Sequence, residues 1–226
     1  MKRFIHFLLI LPLFFACADL ADDAETKDPL SYSPYNSELG HCVVVTDCRK
    51  DAKTVIIPEV IQIRNIPYTV TAIYTATFLD HTNLQSVVIP PTINEIGDEA
   101  FKGCTRLKTV TVPGGATLGK GAFKGSGLVS IELGEGLTVI PNQCFSECSS
   151  LSTVTIPSTV KNIKYLAFSG CTGLKEITDL AREPQSLGSG AWPEGRLNAT
   201  LHIPAGCRAA YEKWSFYFRN IVEDAE

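Results

Sequence analysis

The sequence predicts an α/β repeat solenoid, with units of about 22–23 residues stacked behind a parallel β-sheet and short helical or irregular turns opposite it. The first observation is an aromatic residue that recurs every 22 to 24 residues, because a fixed period of this length indicates a solenoid. The other two observations concern the strand predicted in each unit. Inward and outward residues alternate along it, and proline or glycine lies at its boundaries. The aromatic positions are Phe78, Phe101, Phe123, Phe145, Phe168 and Trp192.

Each predicted strand begins at a leucine five or six residues after the aromatic residue, as in LQSVVIP and LKTVTVP. Alternation with period two directs every second side chain inward. Pro90, Pro113 and Pro157 end strands, because proline has no amide to continue the ladder. The glycines two residues after the aromatic residue suit the left-handed position that ends a helical turn; they are Gly103, Gly125 and Gly170.

The repeated pattern L..V.IP..V..I...AF..C resembles the BspA-like leucine-rich repeats of surface proteins from gut and oral bacteria. The resemblance covers about residues 52–226, including a closing segment similar to LHIPAGCRAAYEKWSFYFRNIVE. It implies a sheet on the concave face of the solenoid and a non-catalytic module that adheres to a host or neighbouring-cell protein.

The N-terminus resembles that of a bacterial lipoprotein. Basic residues 1–3 precede a mostly apolar run over 4–15, which is too short to span a bilayer but fits a signal peptide. The sequence FFAC resembles a lipobox, which implies lipid attachment at Cys17 and a membrane anchor. The acidic residues after Cys17 resemble a surface-export signal, so we expect an outer-membrane protein facing the cell surface, with a periplasm-facing protein as the alternative.

These observations divide the chain into five segments. We expect a signal peptide over 1–16, a flexible tether over 17–38, and an N-terminal cap with the first strand over 39–58. Repeats with an irregular last unit occupy 59–203, and a C-terminal cap occupies 204–226. In that cap, Tyr211, Trp214 and Phe218 share one face of a predicted helix that covers the last repeat. A carbohydrate platform is the alternative use of these aromatic side chains.

The candidate ligand-binding residues lie on the outward positions of the strands. Equivalent positions of successive strands lie side by side, which aligns these residues in two rows across the concave face. This is the face on which leucine-rich repeats usually bind partners. An ordinary solvated β-face is the alternative, because threonine is a good strand former. The first row is Val88, Thr111, Glu132, Thr155, Thr178 and His202; the second is Ser86, Thr109, Ser130, Thr153 and Glu176.

The cysteines are expected to be structural. Cys104, Cys148 and Cys171 share one repeat position, three residues after the aromatic residue, where small apolar side chains line the stack. Such stacking does not bring together four metal ligands. A Cys148–Cys171 disulfide and a Cys42–Cys48 disulfide remain open alternatives, as does the pairing of Cys207.

Catalysis and nucleic-acid binding are not expected. His41, His81 and His202 have no adjacent nucleophile in a known motif, there is no GxSxG elbow, and no cofactor motif occurs. The net charge of −4 and the lack of a basic patch argue against nucleic acid. Besides adhesion, two functions stay open: a structural or accessory envelope lipoprotein, and a glycan-binding module.

Overall fold

A computed structural model describes residues 28–37 and 40–224, which form a β-solenoid of stacked turns. The predicted signal peptide and Cys17 lie outside the described residues. In chain order the strands are β1 Leu30–Ser37, β2 Gly40–Cys48, β3 Thr54–Ile56, β4 Val60–Ile63, β5 Ile66–Ile73, β6 Ser86–Val88, β7 Glu95–Ile96, β8 Thr109–Val112, β9 Thr117–Leu118, β10 Ser130–Leu133, β11 Val139–Ile140, β12 Thr153–Ile156, β13 Asn162–Ile163, β14 Glu176–Asp179, β15 Ser186–Leu187, β16 Leu197–Pro204 and β17 Phe218–Asp224.

The longest parallel sheet is formed by one strand from each successive turn. Strands β8, β10, β12, β14, β16 and β17 pair in that order without a register shift until the last pair. Strands β3 and β6 pair in parallel with each other, and β6 lies beside β8. We call these eight strands the main sheet. It is the parallel sheet that the repeat pattern predicts.

A second side of the solenoid carries short strands. Strands β5, β7 and β9 pair in parallel, and so do β11, β13 and β15. All six end on an aliphatic residue that lies five positions before the aromatic residue of the same turn. Ile96 and Ile140 are two of these residues, and their side chains are fully buried. Each turn therefore contributes apolar side chains to the core from two sheets.

The predicted helical turns, and with them the α/β class, are wrong. The segment around each aromatic residue is a tight non-helical turn, and the described residues contain one helix, the 3-10 helix Glu212–Phe216. The backbone of each turn hydrogen-bonds to the next turn instead: the amide of Phe101 donates to the carbonyl of Ala122 at 2.7 Å, and that of Phe123 to Cys144 at 2.9 Å. Stacking between turns thus replaces the i to i+4 bonds of an α-helix.

Left-handed residues on both sides of the aromatic residue explain why no helix forms. The predicted positive φ two residues after it is confirmed, with 72° at Gly103 and 63° at Gly125. A second positive φ occurs two residues before it, at 54° in Glu99 and 56° in Gln143. This position is not marked by glycine in most repeats, so the sequence pattern does not reveal it. Two left-handed residues within five positions are incompatible with a right-handed helix.

The core contains a continuous aromatic stack. The rings of Phe78, Phe101, Phe123, Phe145, Phe168 and Trp192 lie at successive centroid distances of 4.8, 5.2, 5.6, 5.2 and 4.7 Å. Neighbouring ring planes are within 19° of parallel. The five phenylalanines are 0% exposed. The residue that sets the repeat period in sequence is therefore also the one that joins neighbouring turns in space.

The N-terminal cap begins earlier than predicted. Strand β1 pairs antiparallel with β2, so residues 30–37 are not part of the predicted tether over 17–38. Buried Val43, Val45 and Leu30 anchor this hairpin on the first turn. A further hairpin, β4–β5, joins through Arg64 and Asn65, both with positive φ as a two-residue hairpin loop requires. This hairpin interrupts the predicted repeat region at its start.

The C-terminal cap covers the aromatic stack, although its predicted single helix is wrong. Tyr211, Trp214 and Phe218 are all buried, and the rings of Trp214 and Phe218 lie 5.8 and 5.2 Å from that of Trp192. Phe218 opens strand β17 rather than continuing a helix. Because the three rings are covered by protein, they do not form a carbohydrate platform.

Candidate functional site

The main sheet places the predicted ligand-binding residues in two straight rows. Parallel pairing sets Thr109, Ser130, Thr153 and Glu176 side by side, and likewise Thr111, Glu132, Thr155, Thr178 and His202. Ser86 and Val88 lie on β6, which packs beside β8 but is paired with β3. The geometry of the rows is thus confirmed from β8 to β16; their use in binding stays a prediction. We call the outward side of the main sheet, which carries both rows, the exposed face.

The rows extend beyond the predicted residues at both ends. Thr54 and Ile56 on β3 pair with Ser86 and Val88. At the other end, Thr200 on β16 continues the second row, and β17 adds Asn220 and Val222. The short β3 and the late β17 fall outside the regular repeat pattern, so sequence spacing does not place the four residues on those two strands. Thr200 could have been placed, because it lies two residues before His202 on the same strand.

The chemistry of the exposed face changes along the solenoid. At the N-terminal end, the neighbouring side chains of Ile56 and Val88 are 69% and 52% exposed. Hydroxyl groups dominate the middle, where the hydroxyl of Thr111 donates a 3.0 Å hydrogen bond to the Glu132 carboxylate. Charged groups lie at the C-terminal end. From the N-terminal to the C-terminal end of the exposed face, a partner would therefore contact apolar, hydroxyl and ionic groups in that order.

A histidine held between two carboxylates forms the ionic end. Nε2 of His202 lies 2.9 Å from a Glu176 carboxylate oxygen, and Nδ1 lies 2.8 Å from one of Asp224. The hydrogen bond with Asp224, followed by that with Glu176, raises the pKa of His202. With both ring nitrogens engaged, His202 cannot serve as the base for a nucleophile. The cluster joins β14, β16 and β17, three strands far apart in sequence.

This cluster predicts a pH-dependent contribution to stability. A raised pKa means that folding favours the protonated histidine, so the contribution is complete below the unfolded pKa of about 6.5 and is lost as the pH rises through the folded pKa. We expect His202→Gln to lower the free energy of unfolding at pH 5.5 by at most about 1 kcal/mol, the usual limit for exposed ion pairs. At pH 9 wild type and variant should be nearly equal.

Urea unfolding of both proteins at the two pH values measures this difference. The comparison cancels the contribution of buried His81, whose lowered pKa acts in the opposite direction in both proteins. A difference that does not shrink between pH 5.5 and pH 9 would show that the cluster contributes packing and not charge.

Comparison with protein families matches residues 71–193 to the BspA type leucine-rich repeat region, in six copies. The match covers more than half of the chain. The protein belongs to the BspA-type leucine-rich repeat family. Repeat proteins of this family are typically non-catalytic and bind proteins. A comparison with curated protein sequences finds no match.

Solved structures of bacterial leucine-rich repeat proteins share the fold. A leucine-rich repeat protein from Bacteroides ovatus is 25% identical with a TM-score of 0.52, over 81% of this chain and 60% of that one. The chain thus spans about 60% of the length of that protein. The Treponema pallidum leucine-rich repeat protein is 18% identical with a TM-score of 0.53, over 86% and 97% of the two chains. A Eubacterium ventriosum protein is 19% identical with a TM-score of 0.55, over 66% and 45%.

The cysteines of these BspA-type repeats bond to the backbone. The thiols of Cys104, Cys148 and Cys171 donate to carbonyl oxygens one turn away at 3.0 to 3.1 Å. Burial raises the pKa of Cys104 to about 12. His81 and Ser126 occupy the same position in their turns. The position therefore suits a small or flat side chain packed between turns.

The seven cysteines of the described region are free thiols. Cys42 and Cys48 lie near opposite ends of the continuous strand β2. A disulfide between them would require the chain to reverse direction, and it does not. Within residues 28–37 and 40–224, no group of three potential ligands could hold a metal ion. No helix in the same region is long and apolar enough to cross a membrane.

Proposed function

We propose that the protein is a non-catalytic cell-surface binding module that holds a protein of the host or of a neighbouring cell against its exposed face. The observation that carries this proposal is the pair of rows across the six paired strands from β8 to β17, which the rows of β3 and β6 adjoin at the N-terminal end. Backbone hydrogen bonds between β8 and β17, and between β3 and β6, hold the backbone that carries these side chains. Binding would therefore cost little conformational entropy.

The size of the exposed face supports a protein partner that also contacts its rim. Eight strands about 4.8 Å apart, each with about four residues at ~3.3 Å, make a surface of roughly 35 by 13 Å, on the order of 450 Å². A stable interface covers roughly 800 Å² of each partner. The sheet alone provides about half of this area, so the loops at the strand ends should take part.

A matched pair of double variants tests the binding face. On bacteria that produce the full chain, we expect Thr109→Arg with Thr153→Arg to reduce adhesion to host cells or neighbouring bacteria at least tenfold, because two long charged side chains block the middle of the second row. Thr105→Arg with Thr172→Arg adds the same side chains at exposed positions in the turns. Equal loss in the two double variants would contradict binding by the exposed face.

Treatment of the target cells identifies the class of ligand. Protease treatment should abolish adhesion and glycosidase treatment should leave it unchanged. The opposite result would favour a glycan-binding module. Substitution of Trp192 or Trp214 does not serve this purpose, since both side chains are buried in the core and their loss would destabilise the fold.

The location is part of the proposal. We propose that Cys17 carries lipid and that the protein faces the outside of the outer membrane. Protease added to intact cells should then digest the membrane-bound wild type, whereas Cys17→Ala should appear in the soluble fraction. A membrane-bound protein that resists protease until cells are lysed would instead favour a structural or accessory role within the envelope.

A further inference from the structure

A line of cations borders the exposed face near the amino ends of its strands. In each of the eight strands of the main sheet, one position directly precedes the residue of the second row. Four of these eight positions are basic and none is acidic, although the protein as a whole carries a net charge of −4. The four cations, which we call the basic edge, are the exposed residues Lys53, Lys108, Lys175 and Arg219.

Backbone hydrogen bonds between turns set the spacing of the basic edge. The amides of Val129, Ser152 and Lys175 donate to the carbonyls of Lys108, Val129 and Ser152 at 2.8, 2.9 and 2.9 Å. Equivalent positions therefore stay side by side one residue before the strands begin. With about 4.8 Å between strands, neighbouring cations of the edge lie roughly 10 to 15 Å apart. Sequence spacing does not reveal this line, because its members come from segments far apart in the chain.

The charge of the basic edge is not neutralised within residues 28–37 and 40–224. None of its four cations forms an ion pair with another residue of that region. One of them, Lys108, makes a side-chain hydrogen bond, a long one of 3.5 Å to the Gly127 carbonyl. Lysine in a turn can behave differently, since Lys102 pairs with Glu99 at 2.9 Å. The four charges of the edge are thus available to a partner.

The carboxylates on and beyond the two rows are mostly engaged within the protein. Glu135, two residues after β10, accepts hydrogen bonds from the amide and the hydroxyl of Ser158, both at 3.2 Å. Glu132 accepts one from Thr111. The other engaged carboxylates are Glu176 and Asp224, which hold His202, whereas the Glu59 side chain has no such partner among the described residues. The unpaired charge that borders the exposed face is therefore mainly positive, and it lies on one side.

We propose that the basic edge binds a line of acidic side chains on the protein held by the exposed face. This inference rests on the proposed function. Carboxylates over the edge would complement its unpaired charge and would steer the approach of the partner. They would also fix which way round the partner lies across the strands, because the opposite arrangement would bring them against Glu135 and Asp224.

A densely charged polyanion fits the basic edge less well than a protein does. Duplex DNA carries one charge about every 1.7 Å of its length, whereas the cations of the edge are roughly 10 to 15 Å apart. A chain of that charge density would also place negative groups beside Glu132 and Glu176 on the rows. A protein surface can place separate carboxylates at the cations and neutral groups between them.

Charge reversal tests the basic edge on bacteria that produce the full chain. Lys108→Glu with Lys175→Glu should reduce adhesion at least tenfold, because attraction at two positions becomes repulsion. The matched control, Lys120→Glu with Lys164→Glu, changes the net charge equally at exposed positions beside β9 and β13, and adhesion should stay within twofold of wild type. Equal losses in the two double variants would overturn the proposal, since overall charge and not the edge would then decide adhesion.

An acidic peptide tests the edge without the cellular partner. The probe is acetyl-(Glu-Gly-Ser)₄-amide, whose glutamates lie about 10 Å apart when it is extended, and the matched control carries glutamine instead. In the ¹⁵N-labelled protein, only the acidic peptide should cause saturable shifts of the amide resonances of Lys108, Val129 and Lys175. Raising the ionic strength from about 0.05 to about 0.5 M should weaken its binding at least tenfold.

Three results with the probes would overturn the proposal. They are no binding of the acidic peptide to the wild type, undiminished binding to the variant with Lys108→Glu and Lys175→Glu, and tighter binding of a duplex oligonucleotide than of the peptide at the same ionic strength. The last result would assign the edge to a polyanion and not to a protein.

Failure of this inference can be distinguished from failure of the proposed function. If the double variant at Thr109 and Thr153 abolishes adhesion but charge reversal at the basic edge has no effect, the exposed face binds its partner without this ionic contact. If the acidic peptide binds the edge but the double variant at Thr109 and Thr153 adheres normally, the edge recognises carboxylates and the exposed face is not the adhesive surface.

Discussion

Replacing Phe123 with alanine is expected to lower the free energy of unfolding by about 3–5 kcal/mol, the usual cost of removing a buried aromatic side chain. Phe123 is 0% exposed, and its ring lies between those of Phe101 and Phe145 at 5.2 and 5.6 Å. The substitution removes contacts with both neighbouring turns. Since the stability of a solenoid comes largely from interfaces between turns, a loss in the middle should affect the whole structure.

Chemical denaturation followed by circular dichroism measures this loss, with Tyr165→Ala as the control. Tyr165 is an aromatic residue of comparable size in a central turn, but it is 51% exposed. We expect its replacement to change the free energy of unfolding by no more than about 0.5 kcal/mol. Similar losses in the two variants would contradict a stability based on the internal aromatic stack.

Gly127→Ala is expected to be comparably damaging for a different reason. The turn that contains Gly127 has one residue fewer between its aromatic residue and its leucine than its neighbours. The backbone at Gly127 also passes so close to the preceding turn that an added Cβ would lie 1.9 Å from the Thr105 carbonyl oxygen. Because that neighbour is backbone, the turns must separate. We expect a loss of at least about 3 kcal/mol, at the upper end for overpacking.

Gly125→Ala separates steric overlap from backbone strain. Gly125 has a φ of +63°, yet an added Cβ there would meet nothing within 4 Å. Its replacement should cost roughly 1–2 kcal/mol, the strain of a left-handed residue with a side chain. The same denaturation experiment should therefore rank Gly127→Ala as the more harmful. The reverse order would mean that the contact between the two turns is looser than the structure indicates.

Sequence alone predicts the repeat, the strands and both rows of the exposed face. This is possible because one side chain is repeated at one position per turn: Phe101 and Phe123 establish the period, and alternation then places Thr109 and Ser130 on the same side of the sheet. Parallel pairing of identical units leaves little freedom in register. The register error that often affects β-sheet predictions is therefore small here.

The non-helical turns could not be predicted in the same way. In several repeats the left-handed residue before the aromatic residue is an ordinary one, such as Glu99, Gln143 or Leu166, so glycine does not mark it. Hydrogen bonds between turns stabilise a conformation that these residues would not adopt alone. Stacking between turns overrides the local conformational preference of these residues. The sequence of a single repeat carries no information about that stacking.

The ionic end and the buried carboxylate of Asp179 depend on departures from the repeat. Glu176, His202 and Asp224 meet because β17 pairs with β16, and β17 has no counterpart in the regular pattern. Asp179 could have been noticed, since ITDL places an acid at a position that is aliphatic in the preceding strands. Its burial, however, depends on the folding of the last irregular turn.

Site-specific photocrosslinking is the most direct test of binding through the exposed face. A photoreactive amino acid would replace Thr153 in the second row or, as the matched control, Thr172 in an exposed turn, in the full chain on cells in contact with their target. We predict that position 153 forms adducts with one or a few target proteins, that position 172 does not, and that adding Thr109→Arg removes the adducts at 153. The same adducts from both positions, or adducts at 153 that persist with Thr109→Arg, would contradict the account.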